Sequence, residues 1–257
     1  MWNKGLFLFI GFILFPSQLM AQLVSQPGSD LLDSGYHWVH QNSYNYFHNT
    51  FQNRTRIISP VLNGKDYNPS QVILSEGTLF YNSEDWTRGD IIYDGYEYKN
   101  VLLKYDLFQD VLISPYEKFD KIYQFIPELL GKFQIFGKTF LQFMAQPTVD
   151  SLYFGLKTGI YQELYSGKTK IWAKRIKRID RNLVSGKIEF VPVSENRYFV
   201  FRKDRFLEFS NINSLLKVLE PFKSPLQKYL VANKINYKKD PESAMVLLAK
   251  ELDSIDH

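Results

Sequence analysis

The chain has no cysteine among its 257 residues. That excludes a disulfide framework, thiol catalysis, thiolate metal ligation and lipid attachment through an N-terminal cysteine. No phosphate loop is written in it, because neither G-x-x-x-x-G-K-[ST] nor G-x-G-x-x-G occurs. Gly167-Lys168-Thr169 has the tail of such a loop without its upstream glycine. The zinc-hydrolase pattern H-E-x-x-H and the nucleophile elbow G-x-S-x-G are missing as well. Charge of one sign is not in large excess: 31 Lys and Arg face 27 Asp and Glu, a formal net charge of +4. A balance so near neutral does not call for a nucleic-acid partner.

What is present begins with an export signal. Lys4 precedes an uncharged apolar run over residues 5–15, followed by a polar break at Pro16, Ser17 and Gln18 and then by Leu19-Met20-Ala21. This is the order of a cleavable secretory signal peptide, with a small residue where the peptidase cuts. The run is shorter than the roughly 20 residues a helix needs to cross a bilayer. Removing residues 1–21 takes one Lys and no acid, so the charge falls from +4 to +3. The expected location is the periplasm or the neighbourhood of an outer membrane.

The remaining chain has the composition of a folded protein. Hydrophobic residues make up 45%, which argues against disorder. The 21 Phe and 17 Tyr favour pleated, half-buried surfaces and so point to β structure. Residues 22–75 read as an irregular lead-in, with one short helix expected over 43–51 and turn chemistry at Pro60, Asn63-Gly64 and Asn68-Pro69. A β-rich body is expected over 76–209. Asp94-Gly95 between 89–93 and 96–99 marks a type I′ hairpin, because both central residues tolerate positive φ. A strand over 101–108, reversed at Gln109-Asp110 into 111–114, would turn Leu103, Tyr105 and Leu107 inward. Short apolar segments follow at 122–126, 133–136, 140–144, 152–156, 160–165, 187–193, 197–201 and 205–209, with Lys203-Asp204 turning the last pair. No sustained helical period alternates with them, so a sandwich or open barrel fits better than a parallel sheet.

The pattern changes after residue 209. Helices are expected over 213–220, stopped by Pro221, and over 225–235. The last one starts at Asp240, which is placed to cap, with Pro241 in the first helical position and Glu242 in the first turn. The fold class is therefore α+β: a mainly antiparallel twisted sheet or open barrel with two or three C-terminal helices. Residues 210–257 form the helical appendage.

No catalytic set stands out, and neither a cofactor nor a metal is implied. His37, His40 and His48 could ligate a transition metal, but no acid accompanies them in a hydrolase pattern. Ser29 and Ser75 sit in turn-like contexts. Of the carboxylates Asp85, Asp90, Asp94, Asp106 and Asp110, Asp94 and Asp110 are explained by turns. Asp106 is placed in a strand, where it would pair with a cation, bond an adjacent turn or do chemistry. The densest charge feature is residues 168–181, with Lys168, Lys170, Lys174, Arg175, Lys177, Arg178 and Arg181 against one acid, Asp180. Trp172, Ile176, Ile179 and Leu183 give it a helical period, while its neighbours suggest a long twisted strand whose cations guard an edge. In either form Lys170, Lys174, Arg175, Lys177 and Arg178 are the candidate contacts to lipid phosphate, lipopolysaccharide or an acidic protein. Trp86 is a candidate groove residue.

Trp86-x-x-Gly89-x-Ile91, Gly95-x-x-Tyr98 and Leu103-Lys104-Tyr105-Asp106, with Phe108, Asp110 and Leu112 behind, resemble a group of exported, β-rich proteins of Gram-negative bacteria with no assigned activity. The likeness spans about residues 85–250, including Leu215-Leu216 and the Lys228-Tyr229 to Ile235 run. It implies export and a β-rich body and supplies no catalytic residue. The dense basic stretch is not typical of the group. The expected function is that of a noncatalytic binding or structural protein of the envelope. An envelope-directed hydrolase using carboxylates and a carrier of lipid in a curved sheet are the alternatives.

Overall fold

A computed structural model describes residues 63–116, 120–145, 156–202 and 205–256. They belong to one compact unit running from Phe51 to His257. The expected helix over 43–51, the histidines His37, His40 and His48, and Ser29 lie outside the described residues, as do Lys203-Asp204 and most of 152–156.

Among the described residues, eleven antiparallel strands form one sheet that does not close on itself. They are β1 (Gly64–Asp66), β2 (Thr87–Tyr93), β3 (Tyr96–Asp106), β4 (Val111–Tyr116), β5 (Lys121–Phe125), β6 (Leu130–Ile135), β7 (Lys138–Phe143), β8 (Gly159–Ser166), β9 (Lys170–Val184), β10 (Lys187–Arg202) and β11 (Arg205–Phe209). Three helices follow: α1 (Ile212–Val218), α2 (Lys223–Ala232) and α3 (Pro241–Ile255). The α+β class read from the sequence is the class observed. The strand order is β1-β5-β4-β3-β2-β6-β7-β8-β9-β10-β11, two meanders joined where β6 returns to pair with β2.

The joints are built by local chemistry. Asp94 and Gly95 both take positive φ, 51° and 77°, which matches the I′ turn expected there. Expected as two strands over 96–99 and 101–108, the segment is one strand that ends at Asp106: β3 is continuous through Asn100, whose φ of 60° accompanies a register shift opposite Gly89 and Ile91. The Asp90 carboxylate accepts from the Asn100 amide at 3.0 Å and holds that irregularity in place. Gly89 is required at the joint, since a Cβ there would collide with the backbone oxygen of Gln134 on β6.

Alternation along the strands feeds three apolar clusters. Leu103, Tyr105 and Leu107 point inward as expected, joining Ile91, Tyr93, Phe133, Phe140 and Ile160 in the core between the two meanders. Phe133 and Phe140 stack there at 5.0 Å between ring centroids. In the second half, neighbouring residues take opposite faces. Ile171, Ala173, Tyr198 and Val200 meet Leu215, Leu216, Leu248 and Leu252 of the helices. Trp172 and Phe199 face the other way, with Tyr161, Phe143 and Phe206. Each fully buried aliphatic or aromatic side chain adds about 1.5–3 kcal/mol, so the helices are integral to the sheet's stability.

The helices begin where capping chemistry lets them. Asn211 and Ser214 form a reciprocal capping box on α1. Asp240 accepts from the Ser243 amide, with Pro241 at the first position of α3, as the sequence implied. The second helix starts two residues earlier than expected, at Lys223, leaving Pro225 in its first turn, where a missing amide proton costs nothing.

Candidate functional site

The basic stretch folds as β9, a strand and not a helix, and so its cations divide between two faces. Lys174 points into the aromatic side. Its ammonium bonds the Asp110 carboxylate, donates to the Ile160 carbonyl oxygen at 2.9 Å and lies 5.0 Å from the Tyr161 ring centroid. The same carboxylate accepts from the Tyr105 hydroxyl at 2.7 Å and from the Ile160 amide at 3.3 Å. Burial lowers the Lys174 pKa, and the neighbouring Asp110 carboxylate opposes that shift. Gly159 completes the arrangement: its φ is +150°, and a Cβ on it would collide with both Asp110 and Lys174. The β3–β4 turn is thereby clamped to β8 and β9.

Arg175 points to the helical side. Its Nε donates to Gln162 Oε1 at 2.8 Å, and its two terminal nitrogens donate to the Glu242 carboxylate at 2.6 and 2.9 Å. Tyr198 donates its hydroxyl to the same carboxylate at 2.8 Å. For Glu242 burial works to raise the pKa, but the hydrogen bond and charge of Arg175 and the Tyr198 hydroxyl prevail and hold it below the usual glutamate range. Lys177 donates its ammonium to the Thr78 and Phe80 carbonyl oxygens, the latter at 2.9 Å. Lys170 lies 5.4 Å from the Phe201 ring centroid. Arg178 is exposed, 3.5 Å from Glu195. Three of the five candidate cations are therefore bound within the fold, and residues 168–181 do not present one cationic face.

Trp86 is half-buried, with the Lys104 ammonium 4.3 Å above its ring, so that one face of the indole is engaged by the protein's own cation.

Four of the five carboxylates have a structural partner, and the fifth, Asp94, sits in a turn. Asp106, only 1% exposed, caps the β3–β4 turn by accepting from the Phe108 and Gln109 amides at 2.8 and 3.0 Å, and Tyr67 donates to its other oxygen at 2.6 Å. Of the roles open to it in the sequence, bonding an adjacent turn is the one it has. Asp110 is claimed by Lys174, Asp90 by Lys99 and Asn100, and Asp85 by the Ser83 hydroxyl, which donates to it at 3.4 Å, while Asp94 forms its own turn. At Gly167-Lys168-Thr169, the Thr169 amide donates to the Asp253 carboxylate at 2.8 Å, so an anion of the chain already occupies that turn. Among the described residues no group of three His, Asp or Glu side chains could hold a metal ion, and no helix is long and apolar enough to cross a membrane.

Among the described residues, the ribbon formed by β9 and β10 gathers several exposed aliphatic side chains at one end. These strands pair without interruption from Lys170 with Phe201 to Val184 with Lys187. β8 pairs with β9 only as far as Ala173, and β11 with β10 only from Tyr198. Residues 174–197 therefore extend as a two-stranded ribbon, anchored at its flanks where Lys177 donates its amide to the Leu107 carbonyl and Ser75 bonds the backbone of Phe190. Ser185 and Gly186 turn the tip, with φ of 50° and 80°. There Leu183 is 74% exposed, Ile188 50% and Val184 46%. The tip was not picked out from the sequence, which showed separate strands at 187–193 and 197–201. Its readable signal is Ser185-Gly186 between two aliphatic runs, a hairpin pattern. No protein-family model, curated protein sequence or solved structure matches the chain.

Proposed function

We propose that the protein is an exported, noncatalytic binding protein of the cell envelope. The observation that carries this reading is the β9–β10 ribbon, which ends in three exposed aliphatic side chains and lies beyond the strands that flank its base. Soluble proteins seldom leave such a group at the end of a projection without use for it. The N-terminal signal grammar and the likeness to exported β-rich proteins support an envelope compartment. A carboxylate hydrolase is less well supported, because Asp106 and Asp110 are spent on turn capping and a buried ion pair. A lipid carrier is less well supported because stacked rings fill the space between the meanders.

The test is recovery of the protein from its own envelope fraction, followed by mass spectrometry of what accompanies it. A stoichiometric protein or lipid that is lost from a Leu183→Asp variant supports the reading. An unaccompanied protein that turns over an envelope polymer overturns it in favour of the hydrolase.

A further inference from the structure

We propose that the tip of the β9–β10 ribbon seats the protein on an anionic lipid surface. This rests on the binding reading above and names what is bound. The argument starts from alternation. The register of β9 and β10 is unbroken, so the face that carries Ile171 and Ala173 at the base continues through Ile179, Arg181 and Leu183 on one strand and Ile188, Phe190 and Pro192 on the other. That distal face holds five apolar residues, one cation and no acid. Asp180, Glu189 and Glu195 all fall on the reverse face. An amphipathic ribbon is the strand counterpart of the interfacial helix, apolar on one side and polar on the other.

The chemistry along the ribbon is graded. Leu183 and Ile188 end the apolar face, and Val184 with Lys187 forms the last pair before the turn, on the reverse face. Arg181 lies two residues back on β9, about 7 Å at the rise of a strand. An interfacial element buries its apolar side about 5–10 Å deep, so Arg181 would stand at the level of the lipid phosphates while the tip enters the acyl boundary. Lys187, beside the turn, can snorkel to the same level. A second segment adds to the apolar end. Ser75 bonds Phe190, and Gly77 lies against Pro192, so this stretch runs in the same direction as β10, and Ile73, 88% exposed, comes before Ser75 on the tip side. An acidic protein would match the cations but not the cluster of bare aliphatic side chains. A protein groove would match the aliphatic side chains but has no need of Arg181 directly behind them.

The experiment is sedimentation of the protein purified from its native source with vesicles of phosphatidylcholine, with and without phosphatidylglycerol. Four variants are compared: Leu183→Asp/Ile188→Asp, Arg181→Glu, Ile73→Asp and, as a control, Val231→Asp, which replaces an equally exposed aliphatic residue on α2. The expected result is at least tenfold stronger binding to the anionic vesicles, weakened by salt, lost in the double variant and reduced in Arg181→Glu and Ile73→Asp, with Val231→Asp unchanged. All the altered side chains are exposed, and Arg181→Glu removes no packing, so its result stands if an aspartate variant fails to fold. Equal binding by the native protein and the Arg181→Glu and double variants overturns the proposal. So does native protein that ignores both vesicles while a stoichiometric protein accompanies it from the envelope; that outcome keeps the binding reading and changes the ligand. Native protein with neither a companion nor vesicle affinity overturns both.

Discussion

Arg175 on β9 and Glu242 in the first turn of α3, 67 residues apart in the chain, meet in a two-pronged ion pair with hydrogen bonds of 2.6 and 2.9 Å. Planar guanidinium against carboxylate fixes both distance and orientation. Glu242 also lies at the positive end of the α3 dipole. The pair therefore sets where the last helix docks on the sheet.

Glu242→Gln keeps the shape and one acceptor but removes the charge opposite a buried arginine. It should cost about 2–3 kcal/mol, less than a fully buried pair because Glu242 is partly open to solvent. Urea unfolding of Glu242→Gln, Arg175→Met and the double variant gives the check. The double variant should be less harmful than the sum of the singles, since it leaves no unpaired charge. Additive losses would show that the two groups do not depend on each other.

The same contacts predict a pH profile. The folded pKa of Glu242 lies below the ordinary glutamate value of 4.5, so the folded state favours the ionised form. Its contribution is complete above that value and is lost as pH falls through the folded pKa. On the alkaline side burial, aided by the Glu242 hydrogen bond, pushes Tyr198 up to about 12. Burial likewise pushes Tyr123 up to about 12. Their contribution is complete below about pH 10, the unfolded tyrosine value, and is lost as pH rises through 12. Melting temperature should fall at both ends, and Glu242→Gln should flatten the acid limb and soften the Tyr198 part of the alkaline limb, leaving the Tyr123 part in place.

Asp106 makes a separate claim. Asp106→Ala removes the acceptor for two turn amides and the Tyr67 hydroxyl and should cost about 2–3 kcal/mol. Asp106→Asn keeps an oxygen for the turn and should cost less than half of that. Equal losses in both, by urea unfolding, would mean that the charge and not the cap is what matters.

The compartment can be checked directly. Protein recovered from its native source should begin at Gln22, after the Ala21 cleavage point, and should partition with the envelope. An intact Met1 on protein recovered from the cytosol would remove the basis for an envelope function.

Local signals carried much of the fold. Asp94-Gly95 required the turn it makes, Asp240-Pro241 announced α3, and the alternation of Leu103, Tyr105 and Leu107 placed them inside. The sequence was ambiguous where burial depends on distant partners. Within 168–181, Lys174 and Arg175 look like a solvated basic run, and only Asp110, 64 residues away, and Glu242, 67 away, show that they belong to the interior. With those cations counted as exposed, the apolar residues left over fit a helix as well as a strand. A polar patch at Ser194, Glu195 and Asn196 likewise divided β10, although ladder pairing with β9 carries the strand straight through. For the same reason the exposed tip stayed hidden: its prominence comes from β8 and β11 stopping short, which is a property of neighbours.

The unbroken pairing of β9 with β10 also limits how the ribbon could change in length. One residue added to each arm would roll Leu183 and Ile188 to the reverse side, away from Arg181's former face, while Ile171 and Arg175 stayed fixed at the base. Two residues added to each arm would restore the original facing and carry the tip about 7 Å farther out. Variants of this ribbon that keep its orientation should therefore come in lengths separated by two residue pairs, as if the projection were cut to a ruler with one mark every two rungs.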